Sequence, residues 1–278
     1  MYTAYTNRPI PGCTVMQTAR LENASTAYSR FREAAFHTLY VPYTTINVIL
    51  EGQKRMYDGR AVYHLHAGDI LLIPRDSLVC SEILPGGFES LNLQVPDALL
   101  ARILAQAPAA LPAQKTVSLS LQMTATWQQY ALDFLQYTRG KAPLSTGGLQ
   151  EQLQALLWQQ PDMPAVLGML KAAQAAALGP AIRAAGAELE DIRQLGTLAG
   201  KSCMSRASLQ RHFHRRYRCT PMAWLWEQRV CLAGFLLRTT AWPIREVAYY
   251  SGFEDVTHFY RVFRQQFGAT PAQWRAGA

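Results

Sequence analysis

The spacing of apolar and polar positions changes along the chain and divides it into three parts. Up to about residue 110, short apolar runs separated by glycine and proline turns predict β-strands. Between residues 111 and 180, apolar residues recur every three or four positions and predict helices, most clearly over 121–137 and 149–158. Residues 181–278 continue with a helical period. At 278 residues, the pattern predicts an α+β protein of two domains.

The strands of the first part are short and closely spaced. The predicted segments are 45–50, 54–57, 61–66, 70–73, 77–83 and 88–95, and Asp58-Gly59 between two of them is a strong hairpin signal. Short strands with glycine turns at this spacing predict a small barrel flanked by helices. The leucine-rich segment 149–158 either packs against that barrel or forms a homodimer contact, and the sequence leaves both alternatives open.

Two stretches of the third part repeat at an offset of 50 residues. Segment 211–224 aligns with 261–274, with Arg, Phe, Thr-Pro and Trp in the same order, and each copy begins in a helix with one buried face. A short helix, a tight turn and an N-cap candidate, Ser205 or Asp255, precede each copy. This order predicts two helix-turn-helix units, whose second helices enter the major groove of DNA. Two ordinary amphipathic helix pairs would not require an outward arginine at the same position of both copies.

The last hundred residues resemble the AraC/XylS family of bacterial transcription regulators. The second unit carries the family signature at Ile244, Glu246-Val247-Ala248, Gly252-Phe253, Phe259, Arg261, Phe263, Phe267-Gly268, Thr270-Pro271 and Arg275. The resemblance implies two helix-turn-helix subdomains joined by a linker helix from Met222 to about Arg238. Two positions depart from the pattern: Cys203 stands where the first turn often has glycine, and Trp274 where tyrosine or phenylalanine is usual. A non-glycine residue at such a turn adopts a positive φ only at some cost.

A second resemblance concerns the first part of the chain. A polar strand, Ala67-Gly68-Asp69, an apolar strand and Pro74 follow one another as in the cupin-like sensor barrel found at the N-terminus of many such regulators. The resemblance implies a cupin-like regulatory domain over residues 1–110 and a helical dimerisation or linker segment over 111–180. Residues 181–278 would then form the all-α DNA-binding domain.

The candidate DNA-binding residues lie on the exposed faces of the two recognition helices. They are Arg206, Ala207, Gln210, Arg211 and Arg215 in the first helix, and Val256, Thr257, Tyr260, Arg261 and Arg264 in the second. Glutamine can bind adenine and arginine can bind guanine through two hydrogen bonds each, whereas Ala207 and Val256 can at most contact a thymine methyl group. The base sequence of the operator therefore does not follow from these residues.

The distribution of charge favours the same part of the chain for DNA binding. Residues 181–278 hold 14 Lys+Arg against 7 Asp+Glu, a net charge of +7, while residues 1–180 hold 13 against 12. Thirteen of the 14 C-terminal cations are arginine, whose planar group suits phosphate and guanine edges. Such a surface predicts an affinity for DNA that falls steeply with salt.

A metal site in the first part is the main argument for an enzyme. His64 and His66 share one face of a strand, but only His37 remains as a further histidine, with Glu82 or Glu89 as carboxylate partners. Because Tyr63 and Leu65 look like the inward residues, we expect both histidines of the pair to face outward. We therefore expect no metal, no cofactor and no catalytic residues, so that the alternative of a metal-dependent cupin enzyme fused to a DNA-binding module lacks its ligands. A methyl-accepting repair protein would need a four-cysteine zinc set, and the five cysteines are widely spaced.

The preferred hypothesis is a sequence-specific transcription regulator, more specifically an activator. Its expected partners are double-stranded DNA, RNA polymerase, a small-molecule or protein effector that the N-terminal domain senses, and a second copy of the chain. No run of eighteen apolar residues and no apolar signal core occur, which predicts a cytoplasmic protein without a membrane partner. Lys54, Arg55 and Arg75 could pair with an acidic ligand, but we expect three exposed cations instead.

Overall fold

The computed structural model describes residues 3–4, 12–21, 24–58, 61–108, 110–111, 118–138, 149–175, 195–217 and 219–276. The strands are β1 (Thr3–Ala4), β2 (Cys13–Leu21), β3 (Ala24–Phe31), β4 (Ala35–Val41), β5 (Thr44–Tyr57), β6 (Val62–His66), β7 (Ile70–Ile73), β8 (Ser77–Val95) and β9 (Leu119–Leu121). The helices are α1 (Asp97–Ala105), α2 (Ala125–Thr138), α3 (Leu149–Trp158), α4 (Met163–Ala175), α5 (Leu195–Lys201), α6 (Arg206–Tyr217), α7 (Pro221–Thr239), α8 (Ile244–Tyr250), α9 (Val256–Phe267) and α10 (Pro271–Ala276). Among the helices described, none has the length and apolar character needed to cross a membrane.

The strands form one sheet in which β5 and β8 make most of the pairing. β8 pairs antiparallel with β4 through its first half, with β3 through its second half, and with β5 along both. β5 also pairs with β6 and β7, and β9 extends the sheet beyond β7. The pairing among the described strands does not return to its own start, so the sheet is not closed. The predicted strands are confirmed, but the closed barrel is not.

The sequence predicted two strands where β5 runs, and again two where β8 runs. Each is continuous because the glycines between the predicted pieces form irregularities in the pairing rather than turns between strands. A Cβ atom on Gly52, whose φ is +77°, would lie 2.0 Å from the Gly87 carbonyl oxygen. The register of β5 against β8 shifts on both sides of Glu51-Gly52, as at a β-bulge. Glycine at position 52 therefore lets the two strands stay paired through the bend.

Much of each face of the sheet is buried, and alternate residues of a strand point to opposite faces. The inner face holds a core that includes Phe31, Leu39, Val41, Ile49, Met56, Leu65, Leu71, Ile73, Val79, Ile83 and Phe88. One half of the outer face packs against helices α1–α4 and includes Tyr28, Ile46, Val48, Ile70, Leu72, Leu91 and Leu93. Val48 and Ile49, which are consecutive, thus belong to different cores.

The leucines of α3 belong to the core beneath these helices. Leu153, Leu156 and Leu157 are each at most 1% exposed and lie in one cluster with Trp127 and Phe134 of α2. Of the two alternatives for this segment, packing against the rest of the domain is confirmed. A homodimer contact through these leucines is wrong, because no surface of theirs is available to a partner.

Another part of the outer face contacts helix α7 of the C-terminal part. The ring of Phe235 stacks on Phe36 of β4 at 5.5 Å and on Tyr57 of β5 at 6.0 Å between centroids. Tyr40 and Cys80 belong to the same core cluster as the α7 side chains. Burial, and then the neighbouring Cys231 thiol, raise the pKa of the Tyr57 hydroxyl. The sheet and the C-terminal helices therefore share one hydrophobic core at this place.

We predict that Leu157→Asp destabilises the fold rather than dissociating an oligomer. The substitution places a carboxylate in an apolar core and removes a buried leucine, which costs at least about 3 kcal/mol. Thermal unfolding followed by circular dichroism measures the effect. Gln159→Asp is the control, because Gln159 follows the last residue of α3 and is exposed. It should change stability by less than about 0.5 kcal/mol. Wild-type stability of Leu157→Asp would contradict the burial of α3.

Candidate nucleic-acid interface

Two helix-turn-helix units are present, and each begins its second helix with the predicted cap. In the first unit the Ser205 hydroxyl accepts a hydrogen bond from the Ser208 backbone N–H at 3.1 Å. In the second unit the Asp255 carboxylate accepts one from the Thr257 backbone N–H at 2.8 Å. These bonds satisfy N–H groups that the first turn of a helix leaves free. Both N-cap predictions are confirmed, as is a linker helix, α7, between the units.

The two turns have the same backbone hydrogen bonds. The N–H of Met204 donates to the Ala199 carbonyl at 3.0 Å, and the N–H of Phe253 donates to the Ala248 carbonyl at the same distance. Cys203 has a φ of +51° where the second turn has Gly252 at +85°. The positive φ expected at Cys203 is thus confirmed, and a left-handed non-glycine residue costs roughly 1–2 kcal/mol. Cys203 corresponds to Gly252, which is 49 positions later, whereas Ser205 corresponds to Asp255, which is 50 positions later. The second turn is therefore one residue longer.

Aromatic packing attaches both recognition helices to α7. Phe213 of α6 meets Trp224 edge-on at 5.7 Å. On the other side, a Cβ atom on Gly234 would lie 2.7 Å from the Phe267 ring of α9, so the two helices touch at a glycine. Because a helix rises 1.5 Å per residue, the ten residues from Trp224 to Gly234 separate the two attachment points by about 15 Å along α7.

Arg229 of α7 is a functional residue that the sequence analysis missed. Its side chain is buried, its guanidinium donates to the Gly252 carbonyl at 3.1 Å, and it lies 4.9 Å from the Trp226 ring centroid. A Cβ atom on Gly252 would come within 3.0 Å of that guanidinium. Arg229 thus holds the turn of the second unit from behind. An arginine directly before the apolar run 230–237, inside the predicted linker helix, was the signal that could have found it.

The C-terminal helix α10 fixes the other end of α7. The indole N–H of Trp274 donates to the Gly234 carbonyl at 2.9 Å, and Arg238 stacks on the same ring at 3.8 Å. Arg275 donates to the carbonyls of Leu237 and Trp242, at 3.1 Å and 2.6 Å. The tryptophan at position 274, which departs from the family pattern, therefore takes part in a hydrogen bond that a phenylalanine could not make.

Most of the candidate DNA-binding residues lie on the surface of the two recognition helices. The exposed ones are Arg206, Ala207, Gln210 and Arg211 on α6, and Thr257, Tyr260, Arg261 and Arg264 on α9. Val256 is half-buried, and the side chain of Arg215 lies outside the described residues. The buried faces carry Leu209 and Phe213, and Phe259 and Phe263, as the helical period predicted.

The arginines on these faces are not all in the same environment. A Cβ atom placed on Gly196 of α5 would lie 2.7 Å from the Arg206 guanidinium. The Arg206 side chain therefore lies over α5. Arg211 donates to the Ser208 hydroxyl at 3.4 Å. Arg261 borders a groove of about 380 Å³ between α7 and α9, which Glu227 also lines.

Two of the three cations that we expected on the surface of the N-terminal part are buried. Lys54 is 8% exposed and Arg75 is 5% exposed, while Arg55 is half-buried and pairs with Glu82 at 2.7 Å. The expectation of exposed cations is therefore wrong. Arg75 pairs with Asp97 at 2.6 Å, whereas Lys54 faces the inner core of the sheet.

The histidine pair considered for a metal site has the orientation that the strand period predicted. His64 and His66 are exposed, whereas Leu65 between them is buried. Of the residues with described positions, no three His, Cys, Asp or Glu side chains come together as a metal-ion site would require. His37 is buried on the inner face of the sheet, away from the pair.

Comparisons with known proteins match both parts of the chain. A family model described as a helix-turn-helix domain matches residues 198–277, and one described as the ExsA N-terminal regulatory domain matches residues 44–159. The arabinose operon regulatory protein of Escherichia coli K12 is 35% identical over 83 residues, which is 30% of this chain and 28% of that protein. The HTH-type transcriptional regulator MtrA of Neisseria gonorrhoeae is 32% identical over 123 residues, 44% of this chain and 40% of its own length. Each match thus spans less than half of the relative.

A structural comparison covers more of the chain at lower identity. The structure of ToxT from Vibrio cholerae aligns with 92% of this chain and 98% of its own, with 13% sequence identity and a TM-score of 0.46.

We predict that Arg229→Met destabilises the second helix-turn-helix unit. The change leaves the Gly252 carbonyl without its charged donor, which costs about 1.5–3 kcal/mol. Chemical denaturation of the full chain measures the loss. Arg245→Met on α8 is the matched control, because Arg245 is exposed and its contacts are with Tyr249 alone among the interactions described. Equal stability of the two variants would show that Arg229 does not hold the turn.

Proposed function

We propose that the chain is a member of the AraC/XylS family of transcription regulators, a sequence-specific DNA-binding protein that activates transcription. The observation that carries the proposal is the pair of N-capped recognition helices, α6 and α9, attached to one linker helix. Each presents an exposed arginine, Arg211 or Arg261, at the equivalent position of the repeat. The concentration of +7 net charge in residues 181–278 supports DNA as the partner.

In the proposed complex α6 and α9 enter successive major-groove faces, about 34 Å apart along the DNA. The exposed residues of α6 and α9 meet base edges or phosphates, with Gln210 suited to adenine and the arginines suited to guanine. Arg215 belongs to the same proposal. The rigid attachment of both helices to α7 supports it, because two units in fixed orientation lose little freedom when they bind together.

The remaining parts of the proposal concern regulation. Residues 1–110 would form a cupin-like regulatory domain that senses a small molecule or a protein, and residues 111–180 would form a helical segment that connects it to the DNA-binding domain 181–278. RNA polymerase is the proposed partner in activation, and the cytoplasm the proposed location. A homodimer remains part of the proposal, with its contact outside the buried leucines of α3.

The contact between the sheet and α7 supports a route for this regulation. Phe36 and Tyr57 stack on Phe235 of α7. Phe235 directly follows Gly234, the residue at which α9 contacts α7. A change in the sheet at these two residues would therefore move or release the helix that sets the orientation of both units. Regulation would act on the geometry of the DNA-binding domain and not on its individual base contacts.

We predict that Arg211→Ala and Arg261→Ala each weaken specific DNA binding by about 1–3 kcal/mol if the arginine binds a base. A base contact also predicts relaxed preference at one base pair, whereas a phosphate contact predicts uniform weakening and a salt slope smaller by about one. Titration of the isolated fragment 181–278 with DNA at several salt concentrations, together with footprinting, measures both effects.

Arg245→Ala is the control for these two variants, because Arg245 is exposed on α8 and lies outside the recognition helices. It should keep the wild-type footprint. Should Arg261→Ala also keep full affinity and the same footprint, the second unit would be structural and the two-groove arrangement would be wrong.

We predict that Tyr57→Ala makes the DNA affinity of the full chain approach that of fragment 181–278. The substitution removes a ring that stacks on Phe235, so the sheet loses part of its hold on α7. Tyr43→Ala is the matched control, since Tyr43 is 38% exposed and should leave the affinity of the full chain unchanged. If the full chain and the fragment bind DNA equally before any substitution, the contact does not regulate binding.

A further inference from the structure

A cavity of about 30 Å³ lies on the inner face of the sheet. Its walls are partly apolar, and its polar side chains are Ser29, His37, Asn47, Lys54, Ser81, Ser90 and Asn92. A buried polar cavity needs about 10–15 Å³ for each water-sized occupant. This one therefore has room for two or three water molecules, or for one small ion whose bonded atoms fill a similar volume.

Lys54 is the unusual member of this set. Its side chain is buried, its ammonium lies 5.5 Å from the centroid of the Phe88 ring, and no described carboxylate pairs with it. Burial lowers the pKa of Lys54 to about 7. A buried charge without a partner is costly, and most proteins pair it or avoid it.

Two other polar atoms on the same walls also lack partners. The Nε2 atom of His37 and the Oδ1 atom of Asn47 are buried without a hydrogen bond to any described residue. Burial, and then the charge of Lys54, lower the pKa of His37 to about 4, so the imidazole is neutral near pH 7. A neutral imidazole can present an N–H donor at Nε2.

No acidic side chain among the described residues faces this cavity from β4, β5 or β8. Glu82 and Glu89 of β8 point to the other side of the sheet, where they pair with Arg55 and Arg30. The serines and asparagines on the walls are neutral. The described residues therefore supply no anionic partner for the protonated form of Lys54.

We propose that this cavity binds a small monocarboxylate anion of one or two carbon atoms, held by the Lys54 ammonium and the His37 Nε2–H. Two donors match the two oxygens of a carboxylate, and Phe31, Leu39, Met56 and Phe88 give its short hydrocarbon part an apolar wall. The proposal names the ligand class of the regulatory domain and so rests on the proposed function.

The position of the cavity explains how an occupant would reach the DNA-binding domain. Met56, Ser81 and His37 form one cross-strand row on the inner face. The neighbouring row, with Tyr57 and Cys80, points to the outer face and belongs to the core shared with α7. The cavity and α7 are therefore separated by the thickness of one sheet.

The test is the thermal unfolding midpoint of the full chain in sodium formate, acetate, butyrate or chloride at constant ionic strength. A ligand that binds only the folded state raises the midpoint with its concentration. We expect formate or acetate to raise it at pH 6.5 and chloride and butyrate to do so much less. The effect should be lost at pH 9.5, because Lys54 is then neutral in the folded protein.

Lys54→Met separates this site from general salt effects. The variant should fold and be more stable than the wild type, because it removes an unpaired buried charge. The folded-state pKa of Lys54 lies below its unfolded value, so wild-type stability rises with pH between about 7 and 10.5 and the advantage of the variant is larger at pH 6 than at pH 9.5. It should not respond to acetate. Lys171→Met, which removes an exposed lysine of α4, should respond like the wild type.

A response to chloride equal to that to acetate, no response in the wild type, or an undiminished response in Lys54→Met would each overturn the proposal. None of these measurements uses DNA. A failure of the carboxylate site therefore leaves the DNA titrations unaffected. A fragment 181–278 that folds but does not bind DNA would overturn the regulator function without changing the result for acetate.

Discussion

The packing of helix α7 is the interaction on which the rest of the structure depends. One end of the helix carries α6 through Trp224, the other end carries α9 and α10 through Gly234, and Phe235 is held by the sheet. The close contact at Gly234 is possible only without a side chain. Because densely packed cores shift between discrete arrangements instead of deforming gradually, the orientation of the two recognition helices is tied to the sheet contact.

A second constraint is that successive side chains of a β-strand point to opposite faces of the sheet. The strands β4, β5 and β8 present one set of side chains to the inner cavity and the alternate set to α7. His37 follows Phe36, and Tyr57 follows Met56, so consecutive residues lie on opposite sides. Neither set can be moved far without the other, because they share the same backbone. In the proposed regulator, an N-terminal domain built in this way would influence the C-terminal helices without a specialised hinge.

Local signals in the sequence predicted the C-terminal part well. The caps at Ser205 and Asp255 follow from residues within one or two turns of each other. The linker helix and the unusual backbone at Cys203 followed instead from the resemblance to the AraC/XylS family. The sequence predicted less of the sheet, because the difference between a turn and a bulge at Gly52 depends on Gly87, which is 35 positions away. The same holds for the leucines of α3, whose amphipathic pattern is equally compatible with a partner chain and with the core that the fold provides.

The burial of Lys54, Arg75 and Arg229 could not be predicted from neighbouring residues, and Lys54 differs from the other two in its contacts. Charge alone predicted surface positions for Lys54 and Arg75, and it gave no role to Arg229. Arg75 is compensated by Asp97, and Arg229 by a backbone carbonyl and a ring, so their burial is explained by contacts within the chain. Lys54 has neither a carboxylate nor a carbonyl among its described contacts, and its neighbour His37 also has an unused atom. The uncompensated Lys54 therefore supports the proposed anion site in the inner cavity. That cavity lies on the opposite face of β5 from Tyr57, which contacts α7.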